Sequence, residues 1–240
     1  MGFNLLQGSV VWEKCSHIPP MEPYDAVILY ADFADPSIDW LGIAHKAPDY
    51  ILQQYATKVH QPSWLLSVLG NYITHRLLAH YTEIESIHEQ LYANEYGKPL
   101  IAHPSLHFNL SHTHQAALIG LAHSPVGVDV EWLHPKVDTG LILPTIANQV
   151  EQNSVQLAEN PLQAFYTLWT QKEAYLKAIG TGLTDDLPNV LQAEMFKTGD
   201  WTLKTFVLSP ELIGAACVRQ GTNLHYYKLT KHLLKSLNIL

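Results

Sequence analysis

Two acidic side chains stand one residue apart in a segment that otherwise predicts a short buried strand. The segment G-V-D-V-E-W-L at residues 127–133 carries them as Asp129 and Glu131. Alternate side chains of a strand point to the same face, so both carboxylates would be aimed at one spot. At low effective dielectric their repulsion is on the order of a few kcal/mol, which a cation such as Mg²⁺ would relieve. The pattern predicts a metal site completed by phosphate oxygens; the simpler alternative is a strand with one polar face in water.

A third acid lies in a helical pattern farther along the chain, at residues 165–183. On a helical wheel a polar stripe with spacings of four, three and four residues faces away from an apolar stripe. The polar stripe contains Tyr166, Thr170, Glu173 and Lys177. The apolar stripe contains Phe165, Leu168, Trp169, Leu176 and Ile179. Glu173 is therefore a candidate third ligand, and the alternative is an ordinary exposed face with a Glu to Lys pair.

Two further motifs precede the acids and carry groups that bind anions. Y-G-K-P at residues 96–99 is a turn signal whose Lys98 could meet a phosphate. F-N-L-S-H at residues 108–112 predicts a strand that ends in Ser111 and His112, either of which can donate to an anion. An exposed turn lysine and a structural histidine are the alternatives.

Helices and strands predicted from periodicity would bring these motifs together. A helix is expected from Pro62 to about Tyr81, and a second one, with Asn160 as N-cap and Pro161 in the first turn, to about Ile179. Strands are expected at 26–31, from Leu106, from Ala116, at 127–133, and at 189–196, 202–208 and 212–218.

The order of these elements repeats along the chain. The proline-opened helices begin at residues 62 and 161, and the small-residue strands A-A-L-I-G-L-A and L-I-G-A-A-C-V begin at 116 and 212, at nearly the same offset. We therefore expect an α+β fold of two similar α+β subdomains, residues 1–124 and 125–240, with a ligand cleft between them.

The composition limits the classes of protein to which this chain can belong. The 240 residues are 47% hydrophobic and 15% charged with a formal net charge of -8, so no general attraction to nucleic acid or an anionic membrane is expected. Cys15 and Cys217 are far apart, which is typical of a reducing compartment. No signal-peptide pattern opens the chain, and no apolar run approaches the ~18 residues that span a bilayer. A soluble, cytoplasmic protein is predicted.

Four motifs in one register resemble the motif series of the 4'-phosphopantetheinyl transferases. They are Y-G-K-P, F-N-L-S-H, G-V-D-V-E and W-T-Q-K-E-A-Y-L-K-A-I-G-T-G-L, and they span residues 96–183. The chain is similar to the monomeric, roughly double-length branch of the surfactin-synthetase type, in which two halves surround a pseudo-twofold cleft. The resemblance implies transfer of the phosphopantetheine arm of coenzyme A to a serine of an apo acyl or peptidyl carrier protein, with Mg²⁺, releasing adenosine 3',5'-bisphosphate.

The resemblance also implies roles for the acids and the lysine of the helix. Asp129, Glu131 and Glu173 take the positions that hold the metal against the pyrophosphate. Glu173, or a water on the metal beside it, is the expected general base for the carrier serine. Lys177 is expected to meet a pyrophosphate oxygen. Glu173, Lys177 and Asp129 are the three residues expected to be catalytic.

The coenzyme contacts implied by the resemblance come from the earlier motifs. Ser111 and His112 map onto residues that bind its phosphates, and Gly97 and Lys98 onto the nucleotide contacts. The region from residue 56 to 80 departs from the family, because it has few of the basic residues expected near the 3'-phosphate. Lys58 and Arg76 are its candidates for that role. For docking of an acidic carrier the candidates are Lys136 and Lys172.

Two alternatives keep part of this pattern. A catalytically weakened relative would bind coenzyme A or regulate without transfer, because basic residues are missing. A zinc hydrolase would use the histidines of H-P-S-L-H-F-N-L-S-H-T-H, which are His103, His107, His112 and His114.

Overall fold

The computed structural model describes residues 10–184, 186–191 and 200–240 and has an α+β architecture. Within these ranges the helices are α1 (Trp40–His45), α2 (Asp49–Gln54), α3 (Ser63–Thr82), α4 (Thr139–Ile146), α5 (Gln149–Gln156), α6 (Pro161–Ile179) and α7 (Lys231–Ser236). The strands are β1 (Glu13–Lys14), β2 (Asp25–Asp32), β3 (Leu91–Ala93), β4 (Pro99–Ile101), β5 (His107–Thr113), β6 (Ala116–Ala122), β7 (Val126–Trp132), β8 (Trp201–Ser209), β9 (Leu212–Arg219) and β10 (Asn223–Lys228). Short 3-10 helices occur at Ala56–Lys58, Ile87–Gln90 and Leu187–Asn189.

The ends of the two long helices follow from their capping residues. At the start of α6 the Asn160 side chain accepts a hydrogen bond from the Gln163 amide at 3.1 Å, and Pro161 is the first helical residue. Gly180 ends α6 in the left-handed region with φ 78. Helix α3 begins directly after Pro62. Both helix predictions are confirmed.

The strands form three sheets in the described part of the chain. A five-stranded sheet has the order β1-β10-β2-β6-β5, a three-stranded sheet has the order β7-β9-β8, and β3 pairs with β4. The predictions at 26–31, 127–133, 202–208 and 212–218 and those from residues 106 and 116 are confirmed. The prediction at 189–196 is wrong at its start, because Leu187–Asn189 is a 3-10 helix with Pro188 inside it, and residues 192–199 lie outside the described residues.

The two halves connect their elements in the same order. One set is β2, α3, β5 and β6, and the other is β7, α6, β8 and β9. In each set the first two strands both pair antiparallel with the last strand. The pseudo-twofold relation and the boundary at residues 124 and 125 stay predictions. The last elements return to the first sheet, since β10 pairs with β2 and α7 buries Leu233 and Leu234 in the core beside α3.

The five-stranded and three-stranded sheets pack against each other through the even-numbered residues of their strands. Ile28, Leu118, Val128 and Phe206 are buried in this shared layer. Gly120 allows the close approach, because a Cβ there would lie 2.9 Å from Val126 and Val128 side-chain carbons. By strand alternation the odd-numbered residues of β7 face away from this layer and toward α6.

Helix α6 crosses β7 directly over Gly127. A Cβ at this position would collide with the carbonyl oxygen of Ala174 and the amide nitrogen of Ala178. Both are backbone atoms inside the helix, so they cannot move aside as a flexible side chain can. The missing side chain thus lets the helix lie against the strand that carries Asp129 and Glu131.

A buried ion pair secures the other side of α6. The Lys172 ammonium donates to Glu151 Oε2 at 2.8 Å and to the carbonyls of Ile146 and Leu187 at 2.7 and 2.9 Å. Its side chain is 0% exposed. The prediction that Lys172 forms a carrier-docking cluster is therefore wrong: its charge is used inside the protein to join α4, α5 and α6. None of the helices in the described ranges has the length and apolar character that crossing a membrane requires.

Replacement of Gly127 by alanine should separate α6 from β7. We expect Gly127→Ala to lower the free energy of unfolding by about 3 kcal/mol or more, because the added methyl meets helix backbone. Urea denaturation followed by circular dichroism measures this. Gly140→Ala in α4 is the matched control, since the nearest heavy atom to its added Cβ is a side-chain oxygen of Asp138 at 3.3 Å. A Gly127→Ala protein as stable as this control would contradict the packing argument.

Candidate active site

Asp129 is the centre of a polar cluster between β5, β7 and α6. Its side chain is 3% exposed, and Oδ1 accepts hydrogen bonds from Lys177 Nζ at 2.5 Å and from Ser111 Oγ at 2.9 Å. Lys177 Nζ also lies 3.1 Å from Ser111 Oγ. Oδ2 is buried without a hydrogen-bond partner among the described residues. Because an unpaired buried oxygen is costly, this atom is available for a ligand.

Glu131 follows on the same face of β7. Its Oε1 accepts a hydrogen bond from Trp169 Nε1 at 3.1 Å. Burial, with the nearby Asp129 charge, raises the pKa of the Glu131 carboxyl to about 7, and the Trp169 bond opposes this. Near neutral pH the ionised Glu131 carboxylate therefore destabilises the folded protein, and a bound cation would remove this destabilisation.

Glu173 reaches the cluster from α6, one turn before Lys177. Its Oε2 lies 3.9 Å from Lys177 Nζ, and its side chain is 15% exposed. Burial raises the pKa of Glu173, while the Lys177 ammonium opposes the rise. Lys177 thus lies among the three acids, and their convergence on one metal ion stays a prediction.

The donor chemistry of this cluster fits a hard cation such as Mg²⁺. The unpaired Oδ2 of Asp129 and the raised pKa of Glu131 both favour added positive charge. In the described ranges, however, no group of three or more His, Cys, Asp or Glu side chains is arranged to hold a metal ion. Lys177 occupies Asp129 Oδ1 instead, so the predicted three-acid ligand set stays a prediction.

The histidines of the zinc alternative do not come together. His114 stacks on the Trp132 ring at 4.6 Å between centroids, while His112 Nε2 lies 3.5 Å from Ser67 Oγ. His103 and His107 likewise belong to no group of three or more metal-binding side chains in the described ranges. This arrangement gives the zinc hydrolase no support.

His112 and Lys58 are predicted coenzyme contacts from the N-terminal half. His112 is on β5, and burial lowers its pKa, with the charges of Lys177 and Lys58 acting in the same direction. The imidazole is therefore neutral near pH 7 and can donate one N–H. Lys58 ends the 3-10 helix Ala56–Lys58, and its ammonium lies 5.9 Å from the centre of the Tyr55 ring. The charges of Lys58 and Lys177 thus both act on His112.

Three other predicted residues lie away from the acids. Gly97 is at the turn between β3 and β4, where its φ of 83 suits glycine. Lys98 donates to the carbonyl oxygens of Val126 at 3.3 Å and Ala178 at 3.2 Å. Arg76 donates through Nε to the Leu237 carbonyl at 2.7 Å, so the structure does not bring it to the cluster.

Sequence reasoning missed two residues that hold this site. Asn109 Oδ1 accepts from the Val128 amide at 2.8 Å and so joins β5 to β7, which share no ladder. Trp169 was assigned to an apolar stripe, yet its indole N–H binds Glu131. A partly buried tryptophan needs an acceptor, and this is the signal that could have found it. The alternative of an exposed polar stripe is wrong, because Thr170 is 0% exposed.

Fold and site together define a class of α+β proteins in which acids and a lysine meet at the junction of two similarly connected halves. The 4'-phosphopantetheinyl transferase superfamily matches this chain over residues 125–222. The 4'-phosphopantetheinyl transferase AcpT of Salmonella typhi is 30% identical over 189 residues, which are 72% of this chain and 93% of that protein. The chain belongs to the 4'-phosphopantetheinyl transferase superfamily.

Similar relatives support the surfactin-synthetase-type branch. The transferase gsp of Aneurinibacillus migulanus is 30% identical over 118 residues, which are 49% of each chain. The transferase psf-1 of Bacillus pumilus is 29% identical over 157 residues, which are 59% of this chain and 66% of the relative. These two matches thus span from about half to about two thirds of the relatives they cover.

The raised pKa of Glu131 predicts a dependence of stability on pH. Because the folded-state value of about 7 exceeds the ordinary 4.5, the stability this group contributes below pH 4.5 is lost as the pH rises through 7. Glu131→Gln removes this loss and keeps the acceptor for Trp169. In metal-free buffer at pH 8 the variant should therefore be more stable than the wild type by about 1 to 3 kcal/mol. The advantage should disappear near pH 4.5.

Urea denaturation at both pH values measures this difference. Glu159→Gln, at an exposed position, is the control and should give the same difference from wild type at both pH values. A pH-independent Glu131→Gln difference would show that the carboxyl is not destabilised by its surroundings.

Proposed function

We propose that this protein transfers the 4'-phosphopantetheine arm of coenzyme A to a serine of an apo acyl or peptidyl carrier protein and releases adenosine 3',5'-bisphosphate. One observation carries the proposal in a chain of this superfamily. Lys177, Asp129 and Ser111 are in mutual contact, with Glu131 and Glu173 beside them, where the two halves meet. Such a cluster can bind a pyrophosphate and accept a proton within one site.

Lys177 is the residue that meets the pyrophosphate. Its side chain is 29% exposed, so it remains reachable from the cleft although it pairs with Asp129. As a compact point charge it can share its three donors between Asp129, Ser111 and a phosphate oxygen. The charge it brings to the leaving bisphosphate favours departure.

Glu173 is the general base for the carrier serine. Its partly exposed position suits contact with a second protein, and its raised pKa makes it a better proton acceptor than an ordinary glutamate. Asp129 assists by holding the Lys177 ammonium in place. The attacking serine oxygen is thereby activated close to the charge that binds the leaving group.

Asp129, Glu131 and Glu173 are the residues that would hold Mg²⁺, Asp129 through its free Oδ2. Bound there, the ion would supply positive charge against the pyrophosphate oxygens. Trp169 orients Glu131 toward the site by its hydrogen bond. Ser111 does the same for Asp129.

Besides Lys177, the phosphates of coenzyme A would meet neutral donors and one further lysine. His112 supplies an N–H and has Ser67 beside it, whereas Ser111 can offer its O–H to a phosphate only in exchange for its bond to Asp129. Lys58 is the candidate for the 3'-phosphate, because Arg76 is engaged at Leu237. The Gly97 turn remains a candidate nucleotide contact. We further propose that the protein acts as a cytoplasmic monomer.

Intact mass spectrometry of apo carrier proteins tests the activity. After incubation with the protein, coenzyme A and Mg²⁺, one carrier class should gain a single phosphopantetheine arm, and a carrier with its acceptor serine replaced by alanine should not. Carriers of fatty-acid, polyketide and nonribosomal-peptide type form the panel. No mass gain with any of them would contradict transfer.

A coenzyme-binding relative without transfer is the second candidate. Two basic residues that could have bound the coenzyme or the carrier have structural roles, which favours this candidate. Arg76 binds the Leu237 carbonyl, and Lys172 is buried in the core. Calorimetric binding of coenzyme A together with no mass gain on the carrier panel would select this candidate.

Replacement of the proposed base should lower the transfer activity without changing the fold. Glu173→Gln removes the proton acceptor but keeps the size of the side chain, so we expect the transfer rate to fall by about 10²-fold or more with an unchanged melting temperature. Quenched-flow mass spectrometry at saturating carrier measures the rate, with Glu159→Gln as the surface control. Turnover near the wild-type value would refute the assignment of Glu173.

Replacement of Asp129 should remove the metal dependence of coenzyme binding. Asp129→Asn keeps the acceptor for Ser111 and Lys177 but loses the charge that attracts Mg²⁺. We expect Mg²⁺ to increase the affinity of the wild type for coenzyme A by at least ~10-fold and that of the variant by less than ~3-fold. Isothermal titration calorimetry with and without metal measures both. The same metal effect in both proteins would contradict a role for Asp129 in metal binding.

A further inference from the structure

The side chain of Lys98 crosses from the N-terminal half to the C-terminal half. It leaves the turn between β3 and β4 and places its ammonium 3.3 Å from the Val126 carbonyl oxygen and 3.2 Å from the Ala178 carbonyl oxygen. The first acceptor belongs to β7 and the second to α6. These two elements cross at Gly127, so one cation bridges the strand and the helix beside their closest approach.

Asn94 supports the same bridge from the start of the turn. Its Nδ2 donates to the Gly180 carbonyl at 2.7 Å, and its Oδ1 accepts from the Tyr96 and Lys98 amides at 3.0 and 2.8 Å. A Cβ on Gly180 would lie 3.1 Å from both Asn94 Nδ2 and Lys98 Cδ. The glycine that ends α6 therefore also leaves room for the two side chains that bind the helix end.

The position of the ammonium is favourable for electrostatic reasons. Ala178 is in the last turn of α6, where carbonyl oxygens have no partner within the helix and the helix dipole is negative. Among the described residues Lys98 has no carboxylate within 4.0 Å, so carbonyl oxygens are its hydrogen-bond acceptors. Burial lowers the pKa of Lys98 to about 8, which is consistent with an ammonium enclosed by protein.

Both carbonyls are close in sequence to the residues of the proposed active site. Ala178 directly follows Lys177, and Val126 precedes Asp129 on the same strand. We propose that Lys98 is a positioning residue that sets the spacing of β7 and α6, and thereby the contact of Lys177 with Asp129, and is not a ligand of the nucleotide. The proposal rests on the proposed transferase function for its kinetic consequence, but not for its structural one.

Kinetics of Lys98→Met distinguish the two roles. Methionine keeps most of the stem and removes the ammonium, so the Val126 and Ala178 carbonyls lose their bridge. We expect kcat to fall at least ~10-fold while KM for coenzyme A changes less than ~3-fold. Lys98→Arg should recover most of kcat, because its fork can reach two carbonyl oxygens. A raised KM with unchanged kcat would overturn the proposal in favour of a nucleotide contact.

Hydrogen exchange gives a readout that needs no transfer activity. In Lys98→Met the amides of residues 176–180 should exchange at least ~10-fold faster than in the wild type, whereas those of the first turns of α6 should not change. Lys235→Met, at an exposed lysine of α7, is the control and should leave both regions unchanged. Unchanged exchange at 176–180 in Lys98→Met would overturn the proposal even if the wild type modifies no carrier.

A variant that keeps part of the bridge covers the case in which Lys98→Met does not fold. Lys98→Gln retains an N–H donor on a shorter stem, and the same exchange and kinetic comparisons apply to it. Faster exchange at residues 176–180 with reduced kcat would support the positioning role. Wild-type behaviour in both measurements would overturn it.

Discussion

The close contact of α6 with β7 at Gly127 is the constraint on which the site depends. Strand alternation points Asp129 and Glu131 toward the helix, and helical spacing puts Glu173 and Lys177 on the side that faces them. Neither pattern would matter if a side chain held the helix away from the strand. Because Gly127 has none, groups from remote parts of the sequence come within hydrogen-bond distance, as the contact of Lys177 with Asp129 shows at 2.5 Å.

Charge balance in this contact explains why the acids are stable enough to remain together. Burial disfavours the charged form of Glu131, and repulsion by Asp129 on the same strand face adds to this, in line with the raised pKa of Glu131. Lys177 offsets part of this by pairing with Asp129, and Trp169 and Ser111 donate to the acids from either side. Within the described part of the chain, one oxygen of Asp129 still has no hydrogen-bond partner. The cluster thus contains more carboxylates than lysines, which suits a protein that binds a cation together with an anionic substrate.

Local sequence signals predicted the elements well, and side-chain direction less well. Asn160, Pro161 and Gly180 have capping chemistry that acts within one turn, so the bounds of α6 followed directly. The position of a lysine ammonium depends on carbonyl groups and acids that are distant in sequence, and periodicity does not reveal them. Lys172 was therefore placed on the surface although it is buried against Glu151, and the two carbonyl oxygens that Lys98 binds were not foreseen.

The return of β10 to the first sheet has a consequence for how this protein is made. That strand lies between β1 and β2, in the interior of the sheet and parallel to both neighbours. During synthesis β2, β5 and β6 can associate early, but β1 has no paired strand among the described residues until Asn223–Lys228 emerges from the ribosome. Nascent chains cut before this point would expose an open edge of β2, a known template for aggregation. Completion of the first half is thereby tied to translation of almost the entire second half.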